Sequence, residues 1–361
     1  MKRVLFVMPS LERGGAERVA VTLLAGIDRR RYQPELVVFD QAGGLREALP
    51  PDLKIHALGC RRMRQAFVAL WKLLRRERPE IVFATLGYVN LALLLMRPFL
   101  PRGMRLVVRE ANLPSLSLQA QPYPRLFRWL YRWLYPQADR ILVTSGRMRD
   151  ELVQDLGIPE SRIQLLYNPV DVEAIRARAA LAFDKPVPHE TPYVVAAGRL
   201  VRQKGFDRLL QAMIDAPCGG VRLVIMGAGA MEEDLKSLAT ELGDGDSVEL
   251  VGLQENPWRW FSKASLFVMP SRWEGMPNAA LEALACGTPV LATPESGGLQ
   301  ELRDRLSGEA VVIEPFGEAF LDAMRAGAGK QIAAMRPSLL PDFHHQRSVV
   351  DRFMAVFDAL C

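Results

Sequence analysis

Two short segments in the second half of the chain carry the residues best suited to chemistry. Residues 198–205 read GRLVRQKG and follow an apolar run. Arg199 can hold a phosphate group through two parallel N–H donors, and Lys204 can do so as a compact charge. Gly198 and Gly205 permit tight turns beside such a ligand. Two solvated cations on an ordinary turn would explain this segment equally well.

The second segment, residues 271–283, reads SRWEGMPNAALEA. Pro277 suits the first turn of a helix, whose unpaired N–H groups attract phosphate. Glu274 would lie in the preceding loop and Glu282 on the helix, where carboxylates can accept hydrogen bonds from sugar hydroxyls. The alternative is an acidic loop residue and an unrelated surface glutamate. Glu282 weakens that alternative, because it lies in an apolar run where a charge needs a partner.

Both segments directly follow predicted buried strands. Short apolar runs alternate with amphipathic stretches along the chain, which predicts parallel α/β sheets covered by helices on both faces. Ligands bind such doubly wound sheets at the carboxyl ends of the strands. The predicted strands of the first half are 4–8, 35–39, 81–84, 106–108, 140–144 and 163–166. Those of the second half are 193–197, 221–226, 248–250, 266–269, 290–292 and 310–313.

A proline-rich break divides the two series of strands. Residues 182–192 read AFDKPVPHETP and predict a linker, because proline lacks an N–H and disfavours a helix before it. We therefore expect one Rossmann-like domain over residues 1–180 and another over 181–344. A closing amphipathic helix within 345–361 has an apolar face that the sequence assigns to neither domain, and packing back on the first domain is one option.

The composition conceals an uneven distribution of charge. A length of 361 residues is consistent with two domains, and the net charge is +5. Residues 1–180 hold 29 Lys and Arg against 17 Asp and Glu, whereas residues 181–361 hold 17 against 24. The basic half predicts an anionic partner, such as a membrane, a nucleic acid or phosphate groups.

Several classes of protein are disfavoured. The apolar run 4–8 is too short for a signal peptide, and the longest uncharged stretch, 81–96, is too short to span a bilayer. Four widely separated cysteines predict reduced thiols in the cytoplasm, and four histidines without ligand spacing predict no metal site. Residues 227–229 begin a dinucleotide-binding pattern, but Glu232 stands where a further glycine belongs. We interpret them as a turn before a helix.

In combination, these motifs resemble the retaining GT-B glycosyltransferases of family 4, over nearly the whole chain. The shared motifs are Gly14-Gly15-Ala16-Glu17, Asn168-Pro169-Val170-Asp171, Gly198-Arg199-Leu200, Lys204-Gly205, Met226-Gly227-Ala228-Gly229, Glu274 followed by Glu282, Cys286-Gly287-Thr288-Pro289-Val290, and Gly297-Gly298 with Glu301. The resemblance implies two Rossmann-like domains facing a central cleft. It also implies an acceptor on the first domain and a nucleotide-sugar donor on the second.

The same resemblance implies roles for individual residues. Arg199 and Lys204 would bind the donor diphosphate and Glu274 would contact the transferred sugar, which makes these three the candidate catalytic residues. Glu282 would hold the ribose hydroxyls. The other candidate donor contacts are Gly14, Gly15, Gly198, Gly275, Met276, Pro277 and Asn278. In the front-face mechanism proposed for the family, the departing diphosphate accepts the acceptor proton, so catalysis rests on stabilising the leaving group.

The first half departs from the family at one position. Many members place a histidine at the end of a first-domain strand, near the reacting sugar. The corresponding place here, residues 108–112, has none, which leaves Arg109, Glu110 and Asn112 as candidates to line the cleft. Glu17, at the start of the first predicted helix, is either a cleft residue or an acid that favours the helix dipole.

A basic, aromatic segment of the first half also needs explanation. Residues 123–135 read YPRLFRWLYRWLY. Cations with interfacial aromatic rings favour a helix lying on an anionic membrane. The second interpretation is a core-facing aromatic helix with a basic edge, and the third is stacking on single-stranded nucleic acid. The core-facing side chains would be Leu126, Trp129, Leu130 and Trp133.

The sequence therefore predicts a metal-independent, retaining glycosyltransferase without a cofactor. We expect a nucleotide-sugar donor, UDP-linked, and a lipid-linked or cell-surface glycan as acceptor. The protein is expected to be peripheral on the cytoplasmic face of a membrane, with no nucleic-acid partner. One alternative is a transferase acting on a soluble acceptor. The other is a non-catalytic nucleotide-sugar-binding protein at the membrane, which the set Arg199, Lys204, Glu274 and Glu282 disfavours.

Overall fold

The computed structural model describes residues 1–12, 14–60, 63–182, 192–242, 247–306, 308–330, 332 and 334–360. The chain divides into two compact units, Met1–Pro169 with Phe343–Cys361, and Val170–Asp342. The sequence places this boundary after residue 180. The intervening helix α7, Val172–Ala179, packs on two helices of the second unit. Most of the predicted linker, residues 183–191, lies outside the described residues.

The first unit contains a seven-stranded parallel sheet of order β3-β2-β1-β4-β5-β6-β7. The strands are β1 Lys2–Met8, β2 Tyr32–Val38, β3 Lys54–Ala57, β4 Ile81–Ala84, β5 Arg105–Arg109, β6 Arg140–Val143 and β7 Ile163–Leu165. The helices are α1 Gly15–Gly26, α2 Met63–Glu77, α3 Gly87–Met96, α4 Pro114–Gln119, α5 Pro124–Leu134, α6 Gly146–Asp150 and, at the end of the chain, α14 Gln346–Asp358. The six predicted strands are present. The prediction misses β3, because this edge strand is only partly buried and lacks a continuous apolar run.

Helix α14 contributes to the core of the first unit. Successive side chains of a strand alternate between its two faces, and Phe6 of β1 shares one face with Phe83 of β4. Phe353 of α14 packs edge to face on Phe83, with ring centroids 4.9 Å apart. Tyr32 donates a hydrogen bond of 2.6 Å to the carboxylate of Asp358. The closing helix is therefore joined to the sheet by both aromatic and polar contacts.

Helix α5 buries a different face from the one that the second sequence interpretation assigned to the core. Leu126, Trp129 and Trp133 are 50%, 54% and 65% exposed, so the interpretation that they face the core is wrong. Tyr131 and Leu134 are buried instead. Leu130, the fourth predicted side chain, is partly buried and does pack on the core. On the same inner side, the hydroxyl of Tyr131 donates a hydrogen bond to a buried carboxylate, Glu110. Apolar spacing alone does not reveal that partner.

The second unit contains a six-stranded parallel sheet of order β10-β9-β8-β11-β12-β13. The strands are β8 Val194–Ala197, β9 Arg222–Met226, β10 Ser247–Gly252, β11 Leu266–Met269, β12 Val290–Ala292 and β13 Val311–Ile313. The helices after α7 are α8 Phe206–Asp215, α9 Glu232–Glu241, α10 Trp258–Lys263, α11 Asn278–Ala285, α12 Gly298–Arg305 and α13 Glu318–Ala328. All six predicted strands are present. The chain runs outward from β8 to β10 and returns to β11, so the strand order reverses between β8 and β11.

Glycines let the loops at this reversal approach one another closely. Gly205, just before α8, has a φ of +70°, and a Cβ added there would overlap the carbonyl oxygen of Pro270 after β11. In the loop after β9, a Cβ added at Gly227 would overlap the carbonyl oxygen of Gly198. The backbone of the loop after β8 therefore touches the backbone of both neighbouring loops, which leaves no room for side chains at these points.

We expect Gly205→Ala to destabilise the protein more than the matched control Gly219→Ala. Both glycines have a φ of +70°, so both substitutions carry the left-handed penalty of about 1 kcal/mol. At Gly219 no described atom lies within 4 Å of the added Cβ, whereas at Gly205 the Pro270 carbonyl must move. The overlap should add about 2 kcal/mol to the loss of unfolding free energy, measured by urea denaturation. Equal losses for the two variants would contradict this packing argument.

Candidate active site

The candidate site lies where the strand order of the second sheet reverses. β8 and β11 are adjacent and parallel, with Val194 opposite Leu266, so the loops after them leave the sheet side by side. These two loops, residues 198–204 and 270–277, contain the cations and the first glutamate that the sequence predicts. The crevice outside the carboxyl ends of the strands at such a switch point is the usual ligand site of an open α/β sheet.

A sheltered ion pair joins the two loops. The ammonium nitrogen of Lys204 lies 2.6 Å from Glu274 Oε1, and the side chains are 15% and 7% exposed. The buried Ser271 hydroxyl donates a hydrogen bond of 3.0 Å to the same oxygen. Such a pair is screened less by salt than a surface pair. Lysine has three N–H donors, so Glu274 leaves it capacity to bind an anion at the same point.

Polar contacts hold both loops around this pair. Gln203 donates a hydrogen bond of 2.9 Å to the carbonyl oxygen of Trp273, and the exposed Arg199 donates one of 3.4 Å to the Gln203 side chain. Arg272 binds Asp207 through two hydrogen bonds, of 2.7 and 2.9 Å. Burial raises the pKa of Asp207, but the contacts from Arg272 outweigh burial and bring the pKa below its ordinary value. Arg199 is therefore exposed at the rim of the candidate site, whereas Lys204 lies inside the site.

Residues 275–278, which are predicted to contact the donor, lead from the ion pair into the first turn of α11. The Gly275 carbonyl oxygen accepts a hydrogen bond of 2.7 Å from the amide of Gly298, at the start of α12. The side chain of Met276 is buried and packs over Gly298, since a Cβ there would overlap its methyl group. Pro277 precedes Asn278, the first residue of α11. The structure therefore brings the N-terminus of α11 to the same edge of the sheet as Lys204.

Glu282 lies one turn into α11 and is 7% exposed. Its carboxylate accepts a hydrogen bond of 2.7 Å from the indole N–H of Trp258, the first residue of α10. Burial and the charge of Glu282 raise the pKa of the Cys286 thiol to about 12. Trp258 therefore provides the hydrogen-bond partner that the buried Glu282 carboxylate needs in its apolar surroundings.

Two polar partners of the candidate glutamates are absent from the sequence predictions. Ser271 lies three residues before Glu274 in the same segment, so its proximity to Glu274 could have been inferred. Trp258 lies 24 residues before Glu282, on another helix, and nothing in their spacing pairs them. Only the packing of α10 against α11 reveals that contact.

The predicted first-half residues fall into two groups, of which one surrounds the start of α1. Gly14 caps this helix and Gly15 is its exposed first residue. The carboxylate of Glu17 folds back over Gly14, where an added Cβ would overlap it. This placement favours the interpretation of Glu17 as a helix-start acid. Burial, with the charges of Glu17 and Glu12, raises the pKa of Tyr88 on α3 to about 12.

The second group follows β5, where Arg109 is only 1% exposed. Its guanidinium donates to Thr85 Oγ1 at 2.9 Å and to the side-chain oxygen of Asn168. His344 Nδ1 donates to the Asn168 carbonyl oxygen at 3.0 Å. Burial lowers the pKa of Arg109 to about 10. Arg109 therefore links the sheet to Asn168, where the chain leaves the first unit, and Asn168 is bound in turn by His344, where the chain re-enters it. Asn112 lies half-buried in the loop beyond.

Glu110 is also enclosed, with 3% of its surface exposed. It accepts hydrogen bonds from the hydroxyls of Tyr131 and Tyr135 and, at 3.2 Å, from the amide of Asn90. Burial raises the pKa of Glu110 to about 7. With so little surface exposed in this conformation, neither Arg109 nor Glu110 offers a side chain to an acceptor, and their role in binding one stays a prediction.

Among the described residues, one group has the donor atoms of a metal site: Glu35 of β2, His56 of β3 and Glu77 at the end of α2. Arg3 binds Glu35 at 2.7 Å and Glu77 at 2.8 Å, and Lys54 binds Glu35 at 3.1 Å. Hydrogen bonding from Arg3 lowers the pKa of Glu77 to about 2. The carboxylates already have cationic partners, so this group forms a compensated ion-pair network in the fold.

Comparisons with known proteins match both halves of the chain. The model of glycosyl transferases group 1 matches residues 177–326, and that of Glycosyltransferase Family 4 matches residues 13–174. The chain is 30% identical over 314 residues to N-acetylgalactosamine-N,N'-diacetylbacillosaminyl-diphospho-undecaprenol 4-alpha-N-acetylgalactosaminyltransferase of Campylobacter jejuni, with 84% of this chain and 83% of that protein covered. It is 27% identical over 304 residues to the lipopolysaccharide core biosynthesis glycosyltransferase LpsE of Rhizobium meliloti, with 83% and 82% covered.

A solved structure shares the fold. HepE of Anabaena, in complex with UDP, superposes with a TM-score of 0.75 and 16% identity, over 99% of this chain and 100% of that chain. The two parallel sheets with flanking helices define two Rossmann-like domains of the GT-B α/β fold. The chain belongs to the glycosyltransferases of group 1 and family 4, and it is a glycosyltransferase enzyme. The fold, family and enzyme class predicted from the sequence are confirmed.

The buried Glu110 should make stability depend on pH. Since the pKa of Glu110 is about 7 in the fold, against an ordinary 4.5, the unfolded chain loses this proton at lower pH than the folded chain. The unfolding free energy should therefore fall as the pH rises from about 4.5 to about 7, by up to about 3 kcal/mol in total. Glu110→Gln cannot titrate, so its stability relative to the unmodified protein should increase between pH 5 and pH 7.5. Urea denaturation at both values tests this, and a constant difference would contradict it.

Proposed function

We propose that this glycosyltransferase transfers a sugar from a UDP-linked donor to a lipid-linked or cell-surface glycan, with retention of configuration. The observation that carries the proposal is the sheltered pair of Lys204 and Glu274 at the switch point of the second sheet. The similar HepE structure holds UDP. The names of the two relatives include diphospho-undecaprenol and lipopolysaccharide core biosynthesis.

In this proposal the cations act on the leaving group. Lys204 and Arg199 bind the donor diphosphate, while Glu274 accepts hydrogen bonds from hydroxyls of the transferred sugar. The bond between the anomeric carbon and the diphosphate oxygen breaks, and the acceptor oxygen forms its bond on the same face. The departing diphosphate takes the acceptor proton. Charge that develops on this group is stabilised by the lysine, the arginine and the N-terminus of α11, in place of a divalent cation.

The acceptor side of the proposal rests on the surface of α5. Leu126, Trp129 and Trp133 are exposed, and the centroids of the two indole rings lie 6.1 Å apart. The same helix carries three arginines. Leu95 on α3 and Phe99 just after it are also exposed, and α3 packs on α5. Among the described residues, no helix is long and apolar enough to cross a membrane. We propose that this surface docks on the anionic membrane that holds the acceptor.

We expect Lys204→Ala to lower turnover by at least about 100-fold, because it removes a cation from the developing charge of the leaving group. UDP release from a panel of UDP-sugars, with membrane lipid extract as the acceptor source, measures the rate. The matched control is Arg202→Ala, an exposed cation of the same loop, which should stay near the unmodified rate. Turnover should also persist in EDTA. Near-normal turnover in Lys204→Ala would overturn the assignment of the donor site.

The double variant Trp129→Ser, Trp133→Ser should sediment with anionic phospholipid vesicles at least about fivefold less than the unmodified enzyme, because two interfacial rings are lost. The control is Leu253→Ser, an equally exposed apolar side chain of the second unit. Binding of the unmodified enzyme should weaken with salt. Undiminished sedimentation of the double variant would exclude the α5 surface. Turnover on free glycans by an enzyme that binds no vesicles would instead favour a soluble acceptor.

A further inference from the structure

We propose that Trp258 is a positioning residue for Glu282 and thereby sets the preference of the enzyme for a ribose over a 2′-deoxyribose in the donor. This inference rests on the proposed function and on the role that the family resemblance implies for Glu282, which is to hold the ribose hydroxyls of the donor. The contact that carries it is the hydrogen bond of 2.7 Å from the indole N–H to Glu282 Oε2. The two residues are 8% and 7% exposed, so water competes little for either group.

The direction of α11 supports this role for Glu282. Side chains of a helix lean toward its N-terminus, so we expect Glu282 to extend over the preceding turn of α11. That turn begins at Asn278, at the carboxyl edge of the sheet where Lys204 and Glu274 lie. A carboxylate has about four lone-pair positions, so it can accept hydrogen bonds from ribose hydroxyls as well as the one from Trp258.

Trp258 is itself held by groups from outside its helix. The guanidinium carbon of Arg178, on α7, lies 4.7 Å from the centroid of the indole ring. Arg178 donates a hydrogen bond of 3.2 Å to the carbonyl oxygen of Glu255, and its own carbonyl oxygen accepts one of 2.8 Å from Asn256. Three helices, α7, α10 and α11, therefore meet at the indole, and its orientation is set before any ligand binds.

A fixed carboxylate discriminates between sugars more sharply than a mobile one. Glu282 held by Trp258 is oriented without a further loss of rotamer freedom when the donor binds. A carboxylate placed to accept from both ribose hydroxyls loses a bond when the 2′-hydroxyl is missing, and the unpaired acceptor makes the analogue bind worse. A carboxylate free to rotate would adapt to the remaining hydroxyl. Trp258 should therefore raise the affinity ratio between the two nucleotides.

The test compares UDP with 2′-deoxy-UDP by isothermal titration calorimetry. Trp258→Phe keeps an aromatic ring under Arg178 and removes the N–H. We expect the ratio of dissociation constants, deoxy over ribo, to fall by about tenfold, the size of one hydrogen bond to a charged group. Glu282→Gln should lower the ratio as well, and the double variant should lower it no further, because both changes disrupt one interaction.

Trp260→Phe is the matched control, since Trp260 lies on the same helix and is also 8% exposed. Its ratio should equal that of the unmodified enzyme. If Trp258→Phe fails to fold, Arg178→Gln serves as the second variant, because it removes the cation from the indole and leaves the N–H. It should lower the ratio by about twofold.

The outcomes separate this inference from the proposed function. An unchanged ratio in folded Trp258→Phe, or an additive effect in the double variant, would overturn the positioning role while leaving UDP as donor. The same comparison is run with the guanine and adenine diphosphates and their 2′-deoxy forms. Binding of one of these and not of UDP would overturn the proposed UDP donor. The ratio for the nucleotide that binds would still decide the role of Trp258.

Discussion

The parallel pairing of β8 with β11 is the contact on which the candidate active site depends. It places two loops, which are distant in the chain, next to each other at one edge of the second sheet. Glycines allow their backbones to touch, and the ion pair of Lys204 with Glu274 forms between them. Helices α8 and α11 then start from these loops, so the position of each helix N-terminus follows from the same pairing.

The placement of a few charges matters more here than the net charge of a unit. The unit that holds the candidate donor site, residues 170–342, is acidic, with 17 Lys and Arg against 24 Asp and Glu. A diphosphate would therefore have to be attracted by individual cations rather than by the field of the whole unit. Lys204 can serve because its loop is pinned and partly buried, where charges interact more strongly than in bulk water.

Helix α5 shows how one element can combine a buried polar role with an exposed apolar face. Its inner side supplies Tyr131 to the enclosed carboxylate of Glu110, while its outer side carries Trp129 and Trp133 in contact with solvent. The inner side also packs Phe127, Leu130 and Leu134 on the core, so the helix carries apolar side chains on both its buried and its exposed sides. The buried carboxylate accounts for Tyr131 on the inner side. The exposed indoles, which are costly to leave in water, underlie the proposed membrane surface.

The sequence by itself determined the α/β class, twelve strands, the family and the segments that carry Lys204, Glu274 and Glu282, because continuous apolar runs and local motifs encode these features. It did not determine β3, whose position at the sheet edge removes the apolar run. Only the tertiary structure showed that Arg109 and Glu110 lie inside the first unit, and that Trp258 meets Glu282. The physical reason is the same in each case. Burial and side-chain partners depend on contacts between residues far apart in the chain, which local spacing does not specify.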